Sequence, residues 1–177
     1  MFFSLAPLRR ASGAAALLLA AATALPAAAS THKHSMAEYA YLIGSWHCVA
    51  SVPGKGKVPY TTVFHWKYPS HGAIDQSFDT AKGQADFMLA YDAASDSFKG
   101  IWIDSHGSTG YWEDPGIVNG GWTELGYAIN GAHQSPNTRA VFSGVTPTHY
   151  GFVFSSITSK DDSGKLIETD SCDKDAR

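Results

Sequence analysis

The sequence has little of what several classes of protein require. It contains two cysteines, only 16% charged residues and no cluster of lysine or arginine. Nucleic-acid binding needs concentrated positive charge, so this composition argues against it. The cysteines form no C-x-x-C pair and the histidines form no H-E-x-x-H pattern, so we predict neither a metal site nor a dithiol redox site. After residue 29, no apolar run reaches the roughly 20 residues of a membrane-spanning helix.

The first 29 residues have the features of a cleavable signal peptide. The basic pair Arg9 and Arg10 precedes a stretch rich in alanine and leucine over residues 13–25. Residues 27–29 are all alanine and supply the small side chains required before a cleavage site at Ser30. An uncleaved membrane anchor is the alternative, but the apolar stretch is short for a span. We therefore predict an exported protein, periplasmic or extracellular, without an integral membrane span after cleavage.

The remaining residues, 30–177, are of the size of a single domain. Removing Arg9 and Arg10 leaves 11 basic residues against the 16 acidic ones of the whole chain. A mildly acidic chain of this kind is expected to be a monomer or a weak oligomer.

The two cysteines, Cys48 and Cys172, lie near opposite ends of this predicted domain. An exported pair meets an oxidising compartment, where it usually forms a disulfide bond. The bridge would close a loop of about 125 residues, which chain entropy values at roughly 4 to 5 kcal/mol.

A short helical turn precedes the strands. Ser35 and Glu38 form an S-x-x-E capping box, Met36 and Leu42 contribute to an apolar side, and Gly44 ends the turn.

From residue 45 onward the pattern is that of β-strands separated by short turns. Runs rich in valine, isoleucine, threonine and aromatic residues alternate with glycine, proline, asparagine and aspartate. The predicted strands cover residues 45–52, 60–68, 73–79, 85–92, 97–104, 108–113, 121–129, 138–145, 149–158 and 165–173. No long helical segment interrupts them, which favours antiparallel neighbours joined by hairpins.

About ten successive strands predict an all-β, antiparallel up-and-down barrel, because closure removes the exposed sheet edges. Closure places the last strand beside the first, where Cys172 and Cys48 lie. The strand number and the cysteine pair thus indicate the same architecture. A two-sheet sandwich is the alternative.

The start of the first strand, Gly44-Ser45-Trp46, resembles the G-x-W signature of lipocalins and other calycin barrels, whose tryptophan closes one end of the barrel. Together with four further segments, it resembles a family of exported bacterial barrels, a domain of unknown function, similar in shape to lipocalins and nitrobindins. These segments are residues 91–92, 100–107, 121–122 and 171–174.

The resemblance covers roughly residues 38 to 174 and implies a calycin-like barrel with a buried Trp46. The sequence lacks the T-D-Y step of lipocalins, and only Lys174 or Arg177 is available to replace their C-terminal arginine over the tryptophan. Nitrobindins bind haem through a histidine near the C-terminal end. The nearest candidate is His149, at the start of the ninth predicted strand, so haem through His149 is an alternative to a barrel without a cofactor.

Two polar groups have residue types found in catalytic sites. Asp104, Ser105 and His106 are consecutive, and neighbours on a strand point to opposite faces, so we interpret them as a strand end before a tight turn. Glu113 and Asp114 precede a Pro-Gly step, and we interpret them as solvated turn residues.

We predict that the barrel binds a small, partly apolar ligand, since pockets for such ligands combine aromatic walls with a few polar groups. An inward aromatic face is predicted where large side chains alternate along a strand, although Ile101 and Ile103 compete with Trp102 for the interior. The predicted ligand-binding residues are Trp66, Phe87, Leu89, Tyr91, Trp102 and Phe152, with Asp104 as a polar contact at the rim.

No catalytic residue is assigned, and two alternative functions remain open. One is an enzyme acting on a small exported metabolite, which a pair of titratable groups with shifted pKa values inside the barrel would favour. The other is a barrel filled by its own aromatic residues that acts through its surface.

Overall fold

Eleven strands follow one short helix in the computed structural model, which describes residues 33–80, 83–130, 133–135, 137–159 and 163–176. The predicted signal peptide, residues 1–29, lies outside these ranges. Among the described residues, no helix has the length and hydropathy of a membrane span.

The helix is a 3₁₀ helix over Met36–Leu42, in which the Ser35 N–H donates to Glu38 Oε1 at 2.9 Å. The strands are β1 (Gly44–Val52), β2 (Gly56–Trp66), β3 (Ala73–Thr80), β4 (Gly83–Asp92), β5 (Ser97–Asp104), β6 (Ser108–Asp114), β7 (Trp122–Asn130), β8 (His133–Gln134), β9 (Thr138–Ser143), β10 (His149–Ser156) and β11 (Lys165–Lys174).

The strands form a closed antiparallel barrel. Each strand from β1 to β6 pairs with the next, β6 pairs with β7, and the sheet continues through β9, β10 and β11 back to β1. The two-residue β8 pairs with the end of β7 and is not one of the ten strands that form the barrel wall. The predicted ten-stranded up-and-down barrel is therefore confirmed, and the sandwich alternative is wrong.

The largest error in the predicted strand bounds is at β2, which begins at Gly56 rather than at residue 60. The hairpin before it is tight: Lys55 N donates to Val52 O at 2.9 Å, and Lys57 pairs with Ser51. Lysine and proline in this segment weaken its strand pattern, yet the pairing with β1 extends it.

The seam between β1 and β11 joins the first and last strands of the barrel wall. Cys48 and Cys172 lie directly opposite each other across this seam, with their Cα atoms 4.1 Å apart, and they form a disulfide bond. Both side chains are buried on the inner face. The predicted pairing is confirmed, together with the closure that it implied.

The 3₁₀ helix closes one end of the barrel over Trp46. The indole is completely buried, and its Nε1 donates to Leu42 O at 2.7 Å. The Lys174 ammonium lies 5.2 Å from the centre of the indole ring and donates to Tyr41 O at 2.6 Å. Gly44 allows this approach, because a Cβ atom there would lie 2.8 Å from the Lys174 side chain. Lys174 thus lies over Trp46, in the position of the C-terminal arginine of lipocalins. The other candidate for this position, Arg177, lies outside the described residues.

The interior divides into two regions. The helix half is the interior around Tyr39, Trp46 and Phe98, at the end covered by the 3₁₀ helix. The distal half is the interior toward the opposite end, around Tyr60, Phe78 and Trp102. The same alternation of inward and outward residues runs through both halves, because each strand crosses from one to the other.

Candidate functional site: the distal half of the barrel interior

The strand register settles which face of β5 points inward. Trp102 is paired with the inward Phe87 of β4 and contacts Phe78, whose ring centre is 5.0 Å away. Ile103, one of its competitors for the interior, is 55% exposed on the outer face. The prediction of an inward Trp102 therefore has the right parity.

Three of the seven predicted ligand-binding residues lie toward the helix half. Leu89 is buried in the core, Trp66 stacks on His71 with ring centres 4.6 Å apart, and the Tyr91 hydroxyl donates to Asp96 at 2.5 Å. Each of these side chains already has a partner within the fold.

Phe87 and Phe152 lie midway along the inner wall and pack against the core of the helix half. Trp102 lies nearer the distal end. A line of rings continues from Trp102 through Phe78 to Tyr60, and on the far wall Phe152 stacks on Phe154 with ring centres 5.9 Å apart. All of these rings point inward but are only half-buried. These inward rings keep some accessible surface, unlike Trp46 and Phe98 in the helix half.

Asp104 lies at the distal rim and caps a turn. Its Oδ1 accepts the backbone N–H groups of His106 at 2.8 Å and Ser108 at 3.0 Å. Burial acts to raise the pKa of Asp104, but these backbone donors outweigh it and hold the pKa below its usual value. The interpretation of residues 104–106 as a strand end and a tight turn is confirmed.

Two inward carboxylates of the distal half were missed by the sequence analysis. Asp170 is paired with Ala50 and Phe152 and is only 9% exposed. Its Oδ2 accepts the Tyr60 hydroxyl at 2.5 Å, whereas its Oδ1 is buried without a hydrogen-bond donor among the described residues. Glu168, two residues earlier on the same face, is half-buried opposite Phe154.

Burial determines the ionisation of this pair. Burial, reinforced by the neighbouring Asp170, raises the pKa of Glu168 to about 7. Burial also raises the pKa of Asp170, although the hydrogen bond from Tyr60 opposes the shift. The pKa of the Tyr60 hydroxyl is raised by burial and by Asp170, so Tyr60 remains a donor at neutral pH.

A signal for these two residues was present in the sequence. The predicted disulfide requires Cys172 to face the same interior as Cys48, and strand residues two apart share a face. Counting back from Cys172 places Asp170 and Glu168 on the inner wall of β11.

The helix half contains a second pair of buried carboxylates, one of which corrects an earlier interpretation. Asp114 is not a solvated turn residue: it is 1% exposed and accepts the Tyr39 hydroxyl and the Gly116 N–H, the latter at 2.7 Å. The alternation Gly110, Trp112, Asp114 places it on the inner face of β6. Glu113 is solvated, as interpreted, but it lies in β6 rather than in a turn; it points outward and pairs with Lys99 at 2.7 Å.

Glu124 is the other buried carboxyl group of the helix half, and its Oε1 accepts Trp122 Nε1 at 3.1 Å. Burial, followed by the nearby Asp114, raises the pKa of Glu124 to about 8. Burial also raises the pKa of Asp114. Asp114 and Glu124 are buried in the core, whereas Glu168 of the distal pair is only half-buried.

The outer surface contains His149 and a shallow groove. His149 pairs with Asp173 at 2.8 Å, and its side chain is 43% exposed on the outer face of the barrel.

The groove has a volume of about 490 Å³ and is lined by outward side chains of β5, β6 and β7, among them Ile101, Tyr111 and Tyr127. Within the described ranges, no three His, Cys, Asp or Glu side chains converge as a metal ion would require.

Comparison of the sequence with protein-family models finds no match, and comparison with curated proteins finds none either.

Proposed function

We propose that the chain is an exported, lipocalin-like barrel that binds a small, partly apolar molecule in the distal half of its interior. The observation that carries this proposal is the row of inward aromatic rings that remain half-exposed. Trp46 and Phe98, which face the same interior in the helix half, are completely buried. A barrel filled along its whole length would bury Trp102 and Phe78 to the same degree.

The surroundings of these rings suit a ligand with an apolar body and a polar group. Binding pockets combine such walls with a few polar groups that orient the ligand. Here Tyr60, Glu168 and Asp170 are among the polar groups on the inner wall. The proposal places Phe87, Trp102 and Phe152 at the ligand, with Asp104 at the rim, and leaves Trp66, Leu89 and Tyr91 to the core.

The resemblance to exported calycin-like barrels is part of the same proposal. A cation over the tryptophan of G-x-W accompanies that fold, and the contact of Lys174 with Trp46 supports the resemblance. The disulfide bond supports export, because such bonds persist in oxidising compartments. N-terminal sequencing of the exported protein is expected to begin at Ser30, and recovery of Met1 in that fraction would contradict cleavage.

Two measurements test binding. Native mass spectrometry of protein purified from its own host is expected to detect a retained small molecule. Titration with the neutral fluorophore N-phenylnaphthylamine is expected to give saturable binding. Trp102→Ala should weaken this binding at least about tenfold, a loss of about 1.4 kcal/mol.

The matched control is Trp66→Ala, the same substitution at an inward residue of the helix half. It should leave probe affinity within about threefold of the wild type. If no probe binds and no ligand is retained, the binding proposal fails, and the outer groove becomes the better site for a surface-mediated role.

Enzymatic activity is a second candidate, because the interior contains titratable groups with shifted pKa values. Glu168, whose pKa is raised to about 7, could exchange protons near neutral pH. The test is to incubate the retained ligand with wild-type protein and with Glu168→Gln and to follow its mass. Conversion by the wild type alone would favour the enzyme, and an unchanged mass with both would exclude turnover of that ligand.

A further inference from the structure

We infer that the ligand is an organic cation: a small molecule that presents a protonated amine or a quaternary ammonium group to Asp170 and Glu168 while its apolar body contacts the aromatic walls. This inference rests on the proposed function and narrows the class of ligand.

The first observation is the unpartnered oxygen of Asp170. One carboxylate oxygen is bonded to Tyr60, but Oδ1 has no donor among the described residues, although the side chain is about nine-tenths buried. Buried polar atoms are rarely left without a partner, because desolvation is then uncompensated. A donor supplied by a ligand would satisfy this atom.

The second observation is the absence of a counter-charge. Among the described residues, no lysine, arginine or histidine forms an ion pair with Asp170 or Glu168; the ion pairs of the barrel lie elsewhere. Lys174, on the inner face of the same strand, is engaged at the far end by Trp46 and Tyr41. Within the ranges that the structure describes, the inner wall of the distal half therefore has carboxylates without a matching cation.

The third observation is the aromatic surface on both sides of the pair. Tyr60, in contact with Phe78, lies on one side, and Phe152 and Phe154 lie opposite the two carboxylates on β10. The faces of aromatic rings attract cations, and quaternary ammonium groups are recognised by such surroundings. Ala50 is the direct neighbour of Asp170 on β1.

The arrangement suits charge recognition better than acid–base catalysis. Asp170 and Glu168 project from one strand and occupy the same wall. Hydrolytic carboxylate pairs flank the reacting bond from two sides so that one protonates while the other attacks or activates water. Two carboxylates on one side of a ligand instead share a single positive group.

Protonation of Glu168 makes this binding depend on pH. Among the described residues, Asp170 on the same strand and Tyr60 on β2 are the titratable groups coupled to it, and burial and Asp170 raise the pKa of Glu168 to about 7. A cation favours the ionised carboxylate. Affinity for the cation should therefore rise as the pH increases from about 5.5 to about 8, with the change centred near the Glu168 pKa.

The experiment compares three probes that share one apolar body: naphthylethylamine, naphthylethanol and naphthylacetate. Isothermal titration calorimetry of the full-length mature protein at about pH 8 is expected to show at least about tenfold tighter binding of the amine than of the alcohol, with the acetate weakest. Asp170→Asn and Glu168→Gln should each reduce the preference for the amine over the alcohol to less than about threefold.

Asp173→Asn is the matched control, since it makes the same substitution on the outer face of the same strand, and it should retain the preference for the amine. Equal affinity of the amine and the alcohol for the wild-type protein would overturn the cation inference and leave the binding proposal intact. Failure of all three probes to bind would overturn both. If Asp170→Asn does not fold, an unchanged amine preference in Glu168→Gln would still contradict the shared role.

Discussion

The two halves of this barrel use the same strands and the same alternation but treat their buried carboxyl groups differently. In the helix half, Asp114 accepts hydrogen bonds from Tyr39 and Gly116, and the rings around it are completely buried. In the distal half, one oxygen of Asp170 lacks a donor among the described residues, and the inward rings keep exposed surface.

The contrast separates residues that maintain the fold from residues available for a ligand. A polar group whose bonds are completed inside the fold contributes to stability, and its removal leaves its partners unsatisfied. A buried polar group without a partner costs stability, and a ligand that bonds to it removes part of that cost. The following predictions test this division in order of decreasing effect.

Replacing the same residue type in the two halves should have very different effects on stability. Trp46→Ala is expected to lower the free energy of unfolding by about 3 to 5 kcal/mol, as for other buried aromatic truncations. Trp102→Ala should lower it by clearly less than Trp46→Ala, because the ring is only partly buried and loses less buried area. Equilibrium urea denaturation measures both, and equal losses would mean that the distal half is packed like a core.

Removing the seam disulfide should loosen both halves. The Cys48→Ser/Cys172→Ser variant is expected to lose about 2 to 5 kcal/mol, because the bond closes a loop of sequence separation 124. Chemical denaturation of the variant and of the oxidised wild type gives the difference. A thiol titration that finds two free cysteines in native wild-type protein would contradict the bond itself.

The buried carboxyl groups should make the barrel less stable at high pH. The folded pKa of Glu124, about 8, lies above the unfolded value of about 4.3, so burial favours the protonated form. This contribution is fully present below about pH 4.3 and is lost as the pH rises through about 8. Glu168, with a folded pKa of about 7, acts in the same direction.

Urea denaturation at about pH 5 and about pH 9 should therefore show a loss of several kcal/mol, on the order of 4 kcal/mol from Glu124 and about 3 kcal/mol from Glu168. Glu124→Gln is expected to remove most of it. If Glu124→Gln loses as much stability between the two pH values as the wild type does, the pH dependence comes from other groups.

The smallest effect distinguishes the two aspartates. Asp114→Asn should destabilise by about 1 to 3 kcal/mol, because an amide cannot accept both of its hydrogen bonds through one oxygen. Asp170→Asn should be neutral or stabilising by about 1 kcal/mol at about pH 8, since it removes a buried charge without a counter-ion. Thermal unfolding of the two variants at this pH would reveal the opposite signs, and parallel losses would contradict the division.

The sequence was sufficient for the barrel because its signals are local and repeated. Alternation and turn residues predict nearly every strand, and the cysteine pair adds the long-range closure between β1 and β11. The parity of Trp102 was uncertain because isoleucine and tryptophan are equally suited to an interior; the pairing with Phe87 decided it. This decision depends on register, which a single strand does not contain.

The polar side of the candidate site was harder to predict for a physical reason. Acidic residues are expected at the surface, so Asp114 was interpreted as a turn residue and the inward Glu168 and Asp170 were not noticed. The hydroxyl groups of Tyr39 and Tyr60 make these positions possible, yet they lie 75 and 110 residues away from their partners. Partnerships over such separations become visible only once the barrel has closed.

The seam between β1 and β11 has a consequence for the order of folding. Every other wall contact joins strands that are neighbours along the chain or separated only by the two-residue β8, so these hairpins can form from local segments. The seam alone requires the two ends of the domain to meet, and such a distant pairing is entropically the slowest to find. Until β11 pairs with β1, one edge of β1 is exposed and its thiol is unpaired. This intermediate is the one most prone to pairing with another chain. Joint oxidation of Cys48 and Cys172 to the disulfide by an oxidant of the compartment therefore marks a barrel that has received its last strand.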